Sequence, residues 1–166
     1  MRLLEKELDF FAQYDVILID SAPSVSLLTT AFMVASKTFL AVVMPEAQSL
    51  KALDVLSSNI TELNKFFPGR DYGVHIVVNK YNQSKKPHQM MLEELSSRYR
   101  KYMDDTVVRE FVGFLRENDV NNDENSGPVL EHEPTSGGAR DIIELTKSLI
   151  SHYEIQIVDS DTARAA

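Results

Sequence analysis

An unbroken apolar run that ends in an acid constrains this chain more than any other feature. Val16 to Ile19 are apolar at every position, so the run lacks the alternation of a half-buried strand. It predicts a strand buried on both faces, as in a parallel sheet covered by helices. Asp20 follows at the carboxyl end of this predicted strand, where open α/β sheets bind ligands. An acid there is placed to hold a metal ion, or it serves only to start a turn and cap the next helix.

The composition is that of an ordinary globular domain. The chain has 166 residues, of which 43% are hydrophobic and 25% charged, enough for one domain with a core. It contains no cysteine, which excludes a disulfide framework and a cysteine-based metal site. The charged N-terminus has no signal-peptide pattern, and no run is apolar enough to span a membrane, so a cytoplasmic location is expected. The net charge of −8 means that any DNA contact requires a local basic patch.

Apolar runs alternate with helical patterns along the chain. This alternation predicts an α/β fold, with a parallel sheet flanked by helices and joined by right-handed crossovers. Strands are predicted at 15–20, 39–43, 74–78 and 106–108. Helices are predicted at 2–13, 26–35, from an N-cap at Ser49, through 91–99, and from a cap at Thr135 or Ser136. We also expect a surface loop at 119–127 and a flexible tail at 153–166.

Three blocks, in the same order along the chain, resemble a known family. The first is Tyr-Asp-Val-Ile-Leu-Ile-Asp-Ser-Ala-Pro-Ser at 14–24. The second is the apolar strand from Phe39 to Pro45 with Glu46 and Ser-Leu-x-x-Leu after it. The third is Gly-Pro-Val-Leu-Glu-His-Glu-Pro-Thr-Ser-Gly-Gly-Ala at 127–139. Together they are similar to the Walker B, switch and closing segments of ParA/MinD-type partition ATPases, which have a deviant Walker A motif.

The resemblance implies a P-loop NTPase-like fold and a Mg-ATP-dependent switch that serves plasmid or chromosome segregation. Asp20 would be the Walker B acid, the catalytic residue that positions Mg²⁺ through water. Ser21, Pro23 and Ser24 would belong to the segment that senses the nucleotide. Asn79 would contact the base, because an amide offers both a donor and an acceptor to a base edge, and Lys80 would lie beside it.

One departure from the family is large. A phosphate-binding loop needs glycines followed by Lys-Ser or Lys-Thr, and none of the six glycines of this chain is followed so. We therefore interpret residues 1–152 as a partial ParA-like domain, a C-terminal portion without the first strand and the P-loop. Phosphoryl transfer depends on positioning and charge stabilisation, so we expect that the chain alone does not hydrolyse ATP and that its binding of ATP and Mg²⁺ is weak. The alternatives are a non-catalytic ParA-like module that pairs with another chain, and an unrelated α/β domain.

The family resemblance also implies partners. These are a second copy or another ParA-like chain in a dimer, a ParB-like partner protein and nonspecific DNA. A membrane partner is not expected, because the tail from Tyr153 to Asp161 is acidic. Phosphate contacts need only clustered lysines and arginines, and the candidate DNA contacts are Arg109, Arg116, Lys85 and Lys86.

Overall fold

The computed structural model describes residues 8–11, 13–21, 26–36, 38–69, 72–116 and 128–155. Three strands alternate with helices in these ranges, as the sequence pattern predicts. The strands are β1 (Thr38–Val43), β2 (Gly73–Tyr81) and β3 (Met103–Arg109). The α-helices are α1 (Leu8–Phe11), α2 (Leu27–Ser36), α3 (Ala47–Phe66), α4 (Lys86–Tyr99), α5 (Gly113–Arg116), α6 (Val129–His132) and α7 (Gly137–His152), and a 3-10 turn spans Arg100–Tyr102.

The strands form one parallel sheet in the order β1-β2-β3. Val43 at the end of β1 pairs with Val78 of β2, and Tyr81 at the end of β2 pairs with Arg109 of β3. All three strands therefore run toward the same carboxyl edge. The predicted parallel α/β sheet is confirmed for this part of the chain.

Helices α3 and α4 cover one face of the sheet. Leu53 of α3 and Leu95 of α4 pack against Ile76 and Val78 of β2, and Leu95 is completely buried. Every second residue of β2 points to this face, so Ile76 and Val78 both contribute to the cluster. A second apolar cluster joins α2 to α3 through Val34, Ile60 and Leu63, together with Tyr72.

The opposite face carries a buried polar network that docks α7. His75 lies between Val74 and Ile76 on β2, so its side chain points away from the apolar cluster. Its Nε2 lies 2.8 Å from Oδ2 of Asp104 on β3. Ser148 of α7 donates a hydrogen bond of 2.5 Å to the same carboxylate oxygen. Sheet and helix are thus joined by a polar cluster that periodicity alone does not reveal.

The strand predicted at 15–20 is wrong. These residues are irregular, and Val16, Ile17, Leu18 and Ile19 are exposed by 45%, 49%, 90% and 37%. An apolar run becomes a strand only where a neighbouring strand completes its hydrogen-bond ladder, and no strand pairs with this run in the described ranges.

The first residues of α3 and α7 show which of the predicted N-cap residues are correct. Ser49 is not the N-cap of α3, because the helix begins at Ala47 after Glu46. Its hydroxyl donates instead to the carbonyl oxygen of Met44. Ser136 is the N-cap of α7, and its Oγ accepts a hydrogen bond from the amide of Ala139 at 3.1 Å. A serine near a helix start is therefore an ambiguous signal, which backbone geometry resolves.

Several predictions fall outside the described residues. They concern most of the first helix, part of the switch segment, the loop at 119–127 and most of the tail. The ranges are 1–7, 12, 22–25, 37, 70–71, 117–127 and 156–166.

Candidate functional site

Polar residues lie at the carboxyl edge of the sheet, within the last residues of the strands or directly after them. Parallel strands bring their carboxyl ends to one edge, and here that edge carries Asn79, Lys80 and the residues after Arg109. The burial of β2 stops at this point, because Val78 is 1% exposed whereas Asn79 is only half-buried and Lys80 is exposed. A ligand at this edge would meet amide, ammonium and carboxylate groups.

Lys80 has an unusual backbone conformation. Its φ of 57° places it in the left-handed region, which residues other than glycine seldom occupy. The side chain of Asn79 stabilises the turn, because its Oδ1 accepts a hydrogen bond of 2.8 Å from the amide of Lys80. Nothing in the sequence pattern signals this strain. The amide group predicted to contact a base therefore also makes a local hydrogen bond through its oxygen.

Glu110 accepts hydrogen bonds from two polar side chains of the loop between β2 and α4. Its Oε2 accepts hydrogen bonds of 2.8 Å from Nδ2 of Asn82 and from Nζ of Lys85. The hydrogen bond from Lys85, followed by that from Asn82, lowers the pKa of the Glu110 carboxyl. Lys85, a predicted DNA contact, is thus engaged with an acid, whereas Lys86 begins α4 as an exposed residue.

Arg109 is held by Asp141 of α7. The guanidinium donates two hydrogen bonds to the carboxylate, at 2.6 Å from Nε and 2.8 Å from Nη2, and the backbone amide adds a third at 3.0 Å. Burial opposes the charge on Asp141, but the hydrogen bonds from Arg109 outweigh it and lower the pKa of the carboxyl. Such a bidentate pair is directional and partly neutralises the cation. The side chain of Arg116, the other leading DNA candidate, is outside the described part.

The closing segment fits closely against the end of β3. A Cβ atom on Gly138 would lie 2.5 Å from Cδ1 of Phe111, so a side chain there would displace the aromatic ring. Val129 of α6 is buried beside this contact, at 4% exposure. The glycines that resemble the closing motif therefore have a packing reason in this fold, independent of any ligand.

Asp20 and Ser21 belong to the irregular segment at 13–21. Both are exposed and irregular, and in the described ranges no hydrogen bond or ion pair joins Asp20 to Asn79 or Lys80. Ser21 lines a cavity of about 730 Å³ between α2 and α3, together with Thr29 and Lys51. Pro23 and Ser24 are outside the described residues. Asn79 and Lys80 thus lie near the carboxyl end of β2, and the place of Asp20 beside them stays a prediction.

The metal prediction rests on Asp20 alone. Among the described residues, no group of three or more histidine, aspartate or glutamate side chains is arranged to hold a metal ion. A single exposed carboxylate suits the predicted role, contact with Mg²⁺ through water, because Mg²⁺ keeps several of its waters and takes its remaining ligands from substrate phosphates. The role of Asp20 stays a prediction.

Comparison with known proteins supports the resemblance. Residues 2–68 match the family described as "AAA domain". The chain is 28% identical to the cell division protein PomZ of Myxococcus xanthus over 142 residues, which are 86% of this chain and 43% of PomZ. It is 24% identical to the virulence plasmid ParA family protein pGP5-D of Chlamydia trachomatis over 143 residues, or 86% of this chain and 52% of that protein. The chain thus spans about half the length of these relatives and is similar to ParA-like proteins with a P-loop NTPase fold.

The described helices also bear on membranes. None of them combines the length and the apolar character that crossing a bilayer requires.

Proposed function

We propose that this chain is part of a ParA-type partitioning protein, a Mg-ATP-dependent switch in its intact form. The similarity to PomZ and pGP5-D extends over 86% of the chain in each case. The parallel sheet and its polar carboxyl edge agree with a nucleotide-binding fold. The family alone implies that the protein would segregate a plasmid or chromosome and would bind a ParB-like partner. No residue of the chain identifies either of them.

One observation carries the proposal. Asn79 and Lys80 lie near the end of the central strand, at the edge where β1 also ends and where Asp141 of α7 binds Arg109. The left-handed φ of 57° at Lys80 turns the backbone sharply at this point, and such local strain is typical of functional positions. In this proposal Asn79 meets the base, Lys80 lies beside it, and Asp20 with Ser21, Pro23 and Ser24 forms the Mg²⁺-dependent switch.

The chain alone is proposed not to hydrolyse ATP, since it has no Gly-rich sequence followed by Lys-Ser or Lys-Thr to hold the phosphates. The test is phosphate release by the full chain with Mg²⁺ and ATP, for which we expect no rate above the protein-free blank. Asp15→Ala is the matched control for Asp20→Ala, because both acids are exposed in the same irregular segment. A rate that Asp20→Ala abolishes and Asp15→Ala preserves would overturn this part of the proposal.

DNA binding is tested separately, by retention of the full chain on a random-sequence duplex. Retention in Mg-ATP but not in Mg-ADP supports the switch. Arg109→Glu and Arg116→Glu should weaken retention. Each lost phosphate contact should make the slope of log affinity against log salt concentration shallower by about 0.9. Arg98→Glu is the control, because Arg98 forms an exposed pair with Glu94 on α4. An unchanged affinity in both test variants would remove Arg109 and Arg116 from the proposed patch.

The alternative is a non-catalytic ParA-like module that pairs with another chain. The exposed apolar run Val16 to Ile19 favours this function, since exposed contiguous apolar surface is typical of interaction sites. The two proposals differ in their need for nucleotide. A module would bind its partner equally well with and without Mg-ATP.

A further inference from the structure

A cavity lies at the amino edge of the sheet, where β2 and β3 begin. Gly73 is the first residue of β2, and Lys101 and Tyr102 belong to the 3-10 turn directly before β3. All three line a cavity of about 550 Å³, which is within the size range of small-molecule sites. Asn79 follows Gly73 on the same strand at a distance of about 20 Å, at roughly 3.3 Å per residue. The cavity is therefore separate from the carboxyl edge, and its use does not depend on the proposed switch.

The floor of this cavity is apolar and buried. Leu53 and Ile60 of α3 and Ile76 of β2 line it, at 4%, 9% and 2% exposure. Leu56 and Val74 extend the same surface. Because apolar surface binds apolar groups in preference to water, a ligand would place a ring or a hydrocarbon chain against this floor.

The rim of the cavity is polar and has no acidic member among the described residues. Its exposed polar residues are Ser57, Thr61, Asn64, Lys101, Tyr102 and His152. Lys101 is the one lysine or arginine in the described lining, which contains no aspartate or glutamate, although the whole chain has 25 acidic residues against 17 basic ones. A negatively charged group is therefore favoured at this rim.

Lys101 differs from the other cations of the same segment. Arg98 pairs with Glu94, and Arg100 pairs with Asp105. No acid pairs with Lys101 in the part of the chain that the structure describes, and its Nζ lies 5.6 Å from the centroid of the Tyr102 ring. An ammonium group has three donors, so Lys101 can donate hydrogen bonds to a carboxylate at the rim.

The two tyrosines nearest the floor differ in what their hydroxyls bind. The hydroxyl of Tyr99 donates a hydrogen bond of 2.8 Å to Asp54, which does not line the cavity. The hydroxyl of Tyr72 is buried and has no hydrogen-bond partner within the described ranges. Tyr72 lines the cavity, and by strand alternation it lies on the same face as Val74, which also lines it. Since buried polar groups normally have a partner, the hydroxyl of Tyr72 is a donor for an oxygen atom of a ligand.

We infer that this cavity binds a small aromatic carboxylate that carries a second oxygen atom away from its carboxylate. The aromatic body lies against the buried floor, where it removes apolar surface from water. The carboxylate accepts hydrogen bonds from Lys101 at the rim, and the second oxygen accepts one from Tyr72. Ligands of this class combine one charge, one apolar body and one deep acceptor, as the lining of the cavity requires.

The probe is 6-hydroxy-2-naphthoate, titrated into the full chain and followed through the amide chemical shifts in NMR spectra. We expect saturable shifts at the residues that line the cavity, with Gly73 and Lys101 among them. The absence of saturable shifts at these residues would overturn the inference.

The charge of the probe is tested with 6-hydroxy-2-naphthamide, which keeps the shape and loses the carboxylate. We expect the amide to bind about tenfold more weakly, because hydrogen bonds to an ionised group are the stronger ones. Lys101→Met should weaken binding of the carboxylate by a similar factor and leave binding of the amide unchanged. Lys65→Met is the matched control, since Lys65 is exposed on α3 and does not line the cavity. Equal affinities for the carboxylate and the amide would contradict the inference.

The role of Tyr72 is tested with 2-naphthoate, which lacks the second oxygen. We expect 2-naphthoate to bind more weakly than 6-hydroxy-2-naphthoate to the unaltered chain, and Tyr72→Phe to remove this difference. A difference that persists in Tyr72→Phe would overturn the contact proposed for this hydroxyl.

Two neighbouring serines locate the site on α3. Ser57 and Ser58 are both exposed, but only Ser57 lines the cavity. Ser57→Trp should fill the rim and abolish binding of 6-hydroxy-2-naphthoate, whereas Ser58→Trp should leave it intact. Both variants should keep the fold, because both side chains are exposed. Binding that survives Ser57→Trp would show that the probe binds elsewhere and would refute the inference.

Discussion

Replacement of Asp104 provides the sharpest test of how the sheet holds α7. The carboxylate is 0% exposed and accepts hydrogen bonds from His75, Ser148 and the amide of Thr106. Asp104→Ala removes the acceptor and leaves three donors without it, of which His75 is buried and Thr106 and Ser148 are partly buried. Breaking a buried, hydrogen-bonded pair costs about 3–5 kcal/mol, and each hydrogen bond to a charged group is worth about 1.5–3 kcal/mol. We expect the free energy of unfolding to fall by about 3–5 kcal/mol.

The conservative variant Asp104→Asn keeps the shape but loses the charge and one acceptor oxygen. We expect it to cost about 2 kcal/mol, because one donor keeps a neutral partner. Denaturant unfolding of both variants gives the measurement. Asp105→Asn is the matched control, since Asp105 is 85% exposed and pairs with the exposed Arg100, so its effect should stay below about 1 kcal/mol. A cost for Asp104→Ala as small as that of the control would refute the argument.

The same network makes stability depend on pH. Burial of Asp104 raises its pKa, but the hydrogen bonds from Ser148, His75 and Thr106 outweigh burial, so its pKa in the folded state lies below the ordinary 3.8. The folded state binds this proton less readily than the unfolded state. Its stabilising contribution is therefore present above about pH 4 and is lost as pH falls through the folded pKa. Asp104→Asn should flatten the acid limb of a stability–pH curve, and an unaltered limb would contradict this assignment.

Three further predictions concern single contacts, each measured by denaturant unfolding. Ser136→Ala should cost about 1 kcal/mol, because Ser136 caps α7, whereas Thr135→Ala next to it should cost nothing comparable. Asp141→Asn should lower the free energy of unfolding by about 1 kcal/mol, because solvent screens the ion pair between Asp141 and the half-exposed Arg109. A loss of stability that does not depend on salt concentration would contradict this reason. Lys80→Gly should stabilise by about 0.5–1 kcal/mol, because glycine accepts the φ of 57° without strain, and a destabilised variant would show that the conformation carries no strain.

The local sequence pattern predicts the central strand and the N-cap of the last helix correctly. The predicted strand at 74–78 is confirmed within Gly73–Tyr81, because a central strand of a covered sheet is apolar at consecutive positions. The serine before Gly137 was a correct cap signal because its hydroxyl reaches the amide of Ala139. Local signals succeed where the local geometry also decides the outcome.

A local sequence pattern does not predict contacts between residues that are far apart in the chain. Asp141 follows Arg109 by 32 positions and Ser148 follows Asp104 by 44, and the sequence pattern places Asp141 and Ser148 only within the last helix. Charge, and for Arg109 also its place in the resembled family, predicts Arg109 and Lys85 as DNA contacts, and the fold gives each of them an acidic partner. Charge is a property of the sequence, but its neutralisation depends on which acid the fold brings near.

The amino-acid sequence by itself determined the parallel α/β architecture, the order of its elements and the likeness to ParA-type proteins, since all three depend on hydrophobic period and local motifs. Only the tertiary structure decided which apolar run became a strand. Val42 and Val77 look alike in sequence and pair in register in the sheet, yet Val42 is 58% exposed and Val77 is 1% exposed. Residues 16–20 have the composition of a buried strand and remain irregular, because a strand requires a neighbour whose backbone completes the ladder.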